Sequence, residues 1–426
     1  MKIKVKKLAY EKVLKKIKPT KRQKPAKPSR LLAKIIGILS KKDLSDANFT
    51  YEFQGRDKAG DGPFFIIMNH SSFIDLEIVN RIFYPMRYNI VCTSDGFVGK
   101  YSLMRAIGCI QTQKFVTDAA LIGDISYALH HNKTSVLMFP EASYSFDGTA
   151  TPLPNRLGLL FKRLNVPVIM VRTYGAFTRD PLYNGLKKRK VNVSAKVSVL
   201  FGKDELSSMS VQEMDERLEK AFTFDNFTWQ RENGIVVDEK FRADGLERIL
   251  YKCPHCGSEG TTKGNGEYIK CSACGKAYFL NELGEISALS GEKTEFSHIP
   301  DWYAWQRECV RQQLSDGTYK TDIPVKIGML VDYKALYEVG EGRLTHDGNG
   351  FVLTGCDGKL RYEQKASSSY GLYADYFWYE IGDVICIGDK KALYYCFPTD
   401  GFPVAKARLA AEEAYKLCCG RKRSKV

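Results

Sequence analysis

The first residues in this 426-residue chain whose types and spacing could do chemistry lie in the run Asn69-His70-Ser71-Ser72-Phe73-Ile74-Asp75. The apolar run Phe64 to Met68 before it reads as a buried strand. That places His70 at a strand end, on rigid backbone yet open to a ligand. Phe73–Phe83 carries a helical pattern, so Asp75 falls in the first turn, within reach of the imidazole. A carboxylate there fixes the ring tautomer and stabilises its cation, and such a histidine can take a proton from a hydroxyl. The same residues also have a purely structural reading. Ser72-x-x-Asp75 has the form of a capping box with Asp in place of Glu, and a strand-end histidine can be a satisfied core residue.

The second group is Cys253-Pro-His-Cys256-Gly and Cys271-Ser-Ala-Cys274-Gly, with 14 residues between the pairs. Four thiolates so spaced suit tetrahedral Zn²⁺, and a glycine after each pair permits a tight turn around sulfur. The segment resembles a zinc ribbon, with zinc as a structural ion and His255 as a bystander. Residues 245–290 show no clear Lys/Arg excess, so the ribbon is expected to clamp domains or dock protein rather than bind nucleic acid.

These residues must be positioned by larger elements. Strand candidates Phe64–Met68, Asn89–Cys92, Ser135–Phe139, Val166–Arg172 and Ala195–Phe201 alternate with helix candidates Phe73–Phe83, Ala119–His130, Arg156–Leu164 and Val211–Phe222. That alternation predicts an α/β fold with reactive loops at strand ends. From about residue 300 a helix over Asp301–Leu314 precedes six or seven strands with Gly/Asp/Asn turns, and a helix over Pro403–Leu417 closes the chain. The expected organisation is an arm over 1–44, an α/β domain over 45–240 (a mixed sheet flanked by helices), the ribbon over 245–290, and a β-rich domain over 300–426 ending in a helix. The last is similar at fold level to pleckstrin-homology-like domains.

At this point the chain resembles the glycerolipid acyltransferase family, which includes the 1-acylglycerol-3-phosphate acyltransferases. His70 and Asp75 match its His-x4-Asp block. Phe139-Pro140-Glu141-Ala142-Ser143-Tyr144-Ser145 matches the block after a later strand, and Val166-Pro167-Val168 a further strand. Gly108 to Lys114 stands where the family has a glycine followed six residues on by arginine. The resemblance covers roughly residues 45–235. It implies that His70 is the catalytic base, that Asp75 orients it, that Lys114, Ser143, Tyr144 and Ser145 line the acceptor pocket as substrate-binding residues, and that Glu141 belongs to the acceptor or catalytic pocket, where the residue alone could equally cap a helix or loop. It further implies acyl-CoA or acyl carrier protein as donor and a lysophospholipid hydroxyl as acceptor. Two positions depart from the family's phosphate-binding arginines. Lys114 keeps the charge without the bidentate fork, and Tyr144 keeps one donor and no charge. Ala142 also replaces a glycine. These departures point to acceptors with other headgroups than lysophosphatidate.

Charge distribution bears on location. The net charge is +15, and residues 1–42 hold 16 Lys and Arg against one acid, Glu11; the rest of the chain is balanced. A basic helix over 1–18, a solvated linker over 19–29 and the apolar segment Arg30–Ser40 together suit an anionic bilayer surface. No run of ~18 apolar residues predicts a transmembrane helix, and no secretory signal is legible. The expectation is a peripheral enzyme on the cytoplasmic face of a membrane, with reduced cysteines and no nucleic-acid partner. Two rival readings remain: an inactive membrane-binding adaptor on the same fold, and a nucleic-acid-associated zinc-ribbon protein. The basic tail after Cys418-Cys419 reads as a frayed terminus.

Overall fold

A computed structural model describes residues 2–17, 22–55, 59–116, 118–185 and 187–423. The chain opens with strand β1 (Val5–Lys7) and a short helix, Tyr10–Leu14, in place of the basic helix expected over 1–18. Helix Arg30–Leu39 follows, and then a seven-stranded mixed sheet. Its strands are β2 (Thr50–Gln54), β3 (Phe65–Met68), β4 (Tyr88–Thr93), β5 (Cys109–Thr112), β6 (Ser135–Met138), β7 (Val168–Tyr174) and β8 (Ser194–Phe201). They are arranged β2-β8-β7-β3-β6-β4-β5, all neighbours parallel except the antiparallel pair β7–β8. Strand β3 lies in the middle, buried on both faces by side chains such as Phe65 and Ile67 on one side and Ile66 and Met68 on the other. Such a strand reads as a continuous apolar run, which is why it was legible.

Two strands of this sheet were not expected. β2 is a mostly exposed edge strand with a polar sequence, and β5, at the other edge, has only four residues. Neither carries the apolar signal of a central strand.

Four short strands, β9 (Thr262–Asn265), β10 (Tyr268–Cys271), β11 (Ala277–Leu280) and β12 (Ile286–Ala288), make an antiparallel sheet that carries the cysteine pairs. Helix Ile299–Ser315 leads from it into a meander: β13 (Lys320–Leu330), β14 (Leu336–Asp347), β15 (Gly350–Gly355), β16 (Leu360–Lys365), β17 (Tyr373–Trp378), β18 (Gly382–Gly388) and β19 (Leu393–Pro398). Its order is β16-β15-β14-β13-β19-β18-β17, so the first strand pairs with the last. Helix Val404–Arg423 then packs against helix Ile299–Ser315 and the β17 end of the meander.

The N-terminal arm is not free. β1 adds to the meander in parallel with β14, with Val5 opposite Leu336, while Ile3, Tyr10 and Val13 are buried in its cores. The segment expected as a solvated linker is also docked where it is described; residues 19–21 lie outside the described residues. Arg22 pairs with Asp118 at 2.6 Å and Asp124 at 2.5 Å, and the carbonyls of Pro25 and Ala26 accept from Asn132 and Asn89 at 3.0 and 2.9 Å. The lysines remain outside while the apolar residues between them find a partner sheet, which no local pattern announces.

Candidate active site

The parallel strands β3 and β6 are neighbours, so the loops leaving their carboxyl ends meet above the sheet. One loop carries His70 and the other Phe139 to Ser145. His70 Nδ1 lies 3.0 Å from Asp75 Oδ2. The same oxygen accepts the backbone N–H groups of Ser71 at 2.9 Å and Ser72 at 3.2 Å, which fixes the carboxylate against the ring. The Ser72 bond is half of the capping box read in the sequence. The other half is absent, because Ser72 Oγ instead accepts Ile74 N–H at 3.4 Å and donates to Asp180 at 3.3 Å. Asp75 therefore both braces the loop and meets the histidine.

The imidazole is stacked on two rings, Phe139 at 4.2 Å and Tyr144 at 3.8 Å between centroids. At those separations the rings can only lie on opposite faces, so His70 is held flat between them with its side chain 15% exposed. Burial pushes its pKa below the ordinary value; Asp75 opposes the shift and the Lys114 cation adds to it. A neutral imidazole with a fixed tautomer and an accessible edge is suited to accept a proton.

Glu141 joins the two loops. Its Oε2 accepts the backbone N–H of His70 at 2.9 Å, and its Oε1 accepts both N–H and Oγ–H of Thr151 at 2.8 and 3.0 Å. Burial raises its pKa to about 7 against these hydrogen bonds and the Arg408 cation. Both its oxygens are engaged by these protein groups, and through the His70 N–H it braces the loop that carries the imidazole. Ser145 is likewise engaged: its N–H donates to His70 O at 3.1 Å, and its hydroxyl bridges Gly148 N–H and Thr149 O. Ser143 differs, with a buried hydroxyl that has no partner among the described residues. Ala142 adopts φ +56°, the left-handed region that favours glycine, so the local turn is kept at a cost of roughly 1–2 kcal/mol. Lys114 follows β5 and holds its Nζ 4.1 Å above the Tyr373 ring, on a strand more than 250 residues away.

Several residues at the site were not singled out in the sequence. The Asn69 side chain ties β3 to β7 by donating to Thr173 Oγ1 at 3.0 Å and accepting Thr173 N–H at 2.9 Å. Thr151 anchors Glu141, and Arg408 donates to Tyr144 O at 3.1 Å. Asn69 was visible only as the neighbour of His70. The other two have no local signature, because their roles arise from loops and helices brought together by folding.

The four cysteines form a second cluster. Cys253 and Cys256 pair across with Cys274 and Cys271 at 3.8 Å between sulfurs, and all four sulfurs lie within 4.8 Å of one another. Four thiolates at about 2.3 Å from one zinc ion stand about 3.8 Å apart, so the spacing suits tetrahedral coordination. Gly257 and Gly275 have φ +75° and +78°, as the knuckle turns require. The cluster could hold a metal ion.

Residues 50–173 match the family model described as Acyltransferase. This segment contains His70, Asp75, Lys114 and the Phe139–Ser145 loop, and the chain therefore carries an acyltransferase-family domain. Among solved structures, the chain is similar to the 1-acyl-sn-glycerophosphate (LPA) acyltransferase PlsC from Thermotoga maritima. The identity is 15% over 45% of this chain and 78% of that chain, with a TM-score of 0.33. No curated protein matches the chain.

Proposed function

We propose that the protein is a peripheral membrane O-acyltransferase that moves a fatty acyl group from acyl-CoA or acyl carrier protein to a lysophospholipid hydroxyl, with His70 as general base. The observation that carries this reading is the His70–Asp75 contact at 3.0 Å, with the imidazole clamped between two rings and one edge open. His70 Nε2 takes the hydroxyl proton as that oxygen attacks the thioester carbonyl. A C–O bond forms, the C–S bond breaks, and the imidazolium returns its proton to the departing thiolate. Lys114, Ser143 and Tyr144 stand on the acceptor side; Glu141 and Ser145 act through the loops they brace.

Membrane association rests on one helix more than on the whole arm. No helix among the described residues is long and apolar enough to cross a membrane. Helix Arg30–Leu39, however, leaves Leu31, Ile35, Ile38 and Leu39 exposed along one face, the last at 75%, with Lys34 among them. Its other side packs on helix Asp75–Phe83, next to which Phe73 is 53% exposed beside Tyr144. An apolar face rimmed by lysines and adjoining the catalytic loop suits insertion into the interface of an anionic bilayer. The meander order and closing helix support a pleckstrin-homology-like reading of the C-terminal domain, and the cysteine cluster supports a structural Zn²⁺.

The test is thiol release from palmitoyl-CoA or palmitoyl-acyl carrier protein in micelles of lysophospholipids. His70→Ala is expected to lose about 10²–10⁴-fold in turnover. Equal thiol release by wild type and His70→Ala would remove the reading and favour an inactive membrane adaptor.

A further inference from the structure

The family-matched segment ends at residue 173, yet one wall of the site comes from the meander. Strand β17 is an edge strand whose residues alternate between two cores. Ala374 and Tyr376 turn into the core shared with the closing helix, and Tyr373 turns towards the acyltransferase domain, as does Trp378 beyond a bulge. Tyr373 is fixed there: its hydroxyl donates to the buried Asp95 at 3.0 Å and accepts from Trp378 Nε1 at 2.8 Å. Lys114 rests on that ring. Asp375, two residues further along β17, lies on the same face as Tyr373.

Burial pushes the Asp375 carboxyl up to about 6 and the Lys114 cation opposes that rise, while the Asp375 charge adds to the upward push that burial gives the hydroxyl of Tyr144, the ring stacked on His70. Lys114 in turn acts on His70. Among the described residues, however, neither Lys114 nor Asp375 makes an ion pair with any residue, and Asp375 only accepts the N–H of Tyr376 at 2.9 Å. An anion-seeking charge at Lys114, which acts on His70, and a cation-seeking charge at Asp375, which acts on Tyr144, therefore stand near the stacked pair of rings without forming an ion pair with each other.

We propose that Asp375 is a specificity-determining residue, and that with Lys114 it forms a site for a zwitterionic acceptor headgroup. The phosphodiester is held at Lys114 and the headgroup cation at Asp375. This rests on the O-acyl-transfer reading above and narrows its substrate class. A phosphomonoester carries nearly two negative charges at neutral pH. It would meet one lysine without a fork and one carboxylate of its own sign, and the desolvation of its second charge would go unmatched. A zwitterion brings one charge for each wall and leaves neither unpaired.

The experiment compares two acceptors on the same enzyme preparation, with palmitoyl-CoA as donor: lysophosphatidylethanolamine, a zwitterion, and lysophosphatidate, a phosphomonoester. The kcat/KM ratio between them does not depend on the fraction of folded protein, so a destabilised variant still reports. Wild type is expected to favour the zwitterion, and Asp375→Asn to lower that ratio about tenfold. Asp375→Glu should keep most of the preference. A wild-type preference for lysophosphatidate, or a ratio unchanged in Asp375→Asn, overturns the proposal while leaving acyl transfer intact. Absence of transfer to either acceptor, at a rate sensitive to His70→Ala, removes the underlying reading and the proposal with it.

Discussion

Two buried polar clusters meet at Tyr144, and they are built in opposite ways. On one side, His70, Asp75 and Glu141 are held mainly by backbone N–H groups at the ends of adjacent strands. On the other, Arg408 and Arg307 from the two C-terminal helices share Glu412 at 3.2 and 2.6 Å, and Arg307 also reaches Glu413 at 3.0 Å. The first cluster leaves charge unbalanced and one ring edge open. The second pairs every cation with an anion and ends on Tyr144 O and the face of Phe146. Backbone donors fix position without neutralising charge, which leaves a group able to change protonation. Full ion pairs give up that freedom and hold elements together. On the proposed reading the first cluster is the reaction centre, and the second serves as a clamp.

The largest expected effect tests what supports the clamp. Helix Ile299–Ser315 is fastened to the ribbon by Trp302 Nε1 donating to Lys252 O at 2.9 Å and Gln306 donating to Ile249 O at 2.7 Å. Structural zinc in small domains is coupled to folding by about 10 kcal/mol or more. One zinc per chain is expected by elemental analysis, and Cys271→Ser or chelation should unfold residues 245–290 in hydrogen exchange and then loosen the helix carrying Arg307. A metal-free protein with unchanged exchange protection would show that the clamp stands without the ribbon.

Next in size, Asp75→Asn should cost about 10²–10⁴-fold in turnover with only a modest change in melting temperature, since the amide cannot stabilise the imidazolium. Arg408→Leu should do the reverse. It removes one of two cations on Glu412 and the donor to Tyr144 O, costing about 3 kcal/mol in urea unfolding while the protein that stays folded keeps most of its turnover. If the two variants had the same ratio of stability loss to turnover loss, the division into centre and clamp would fail.

The smallest effect concerns pH. Burial and the Lys114 cation both lower the His70 pKa, so neutral imidazole persists to lower pH than in free histidine. Activity is expected to fall only below the ordinary value of about 6.5. Removing the cation in Lys114→Met relieves like-charge repulsion and raises the pKa, so the acid limb of kcat/KM should move to higher pH. A limb that stays in place would mean that Lys114 is too far from the ring to act on it.

How much of this was legible followed the range of the interactions. The members of the His70–Asp75 pair and of each cysteine pair are separated by a few residues within a turn or knuckle, so spacing put them within reach of one another, while only the family resemblance gave His70 and Asp75 their expected roles. The central strands β3, β6 and β7 were legible because burial on both faces demands unbroken apolar runs. The edge strand β2 and the docked course of the arm were not, since their residues are polar or basic and their partners lie far along the chain. The hydrogen-bond partners of the loop residues were not legible for a similar reason. A sequence block shows that Glu141 and Ser145 stand near His70, but not whether their oxygens face a ligand or the next loop.

By itself the sequence determined the chemistry on offer: a histidine with its carboxylate at a strand end, four thiolates in two knuckles, and an apolar helix set among lysines. Those are properties of neighbours along the chain, fixed by backbone geometry within a turn or two. Tertiary structure decided what surrounds them. It stacked Phe139 and Tyr144 on the His70 ring, turned Glu141 inward to Thr151, brought Arg408 onto Tyr144, and set Tyr373 and Asp375 against Lys114. Charge and ring contacts act through space across a few ångströms, and only the packing of the meander on the mixed sheet brings Lys114 onto the Tyr373 ring.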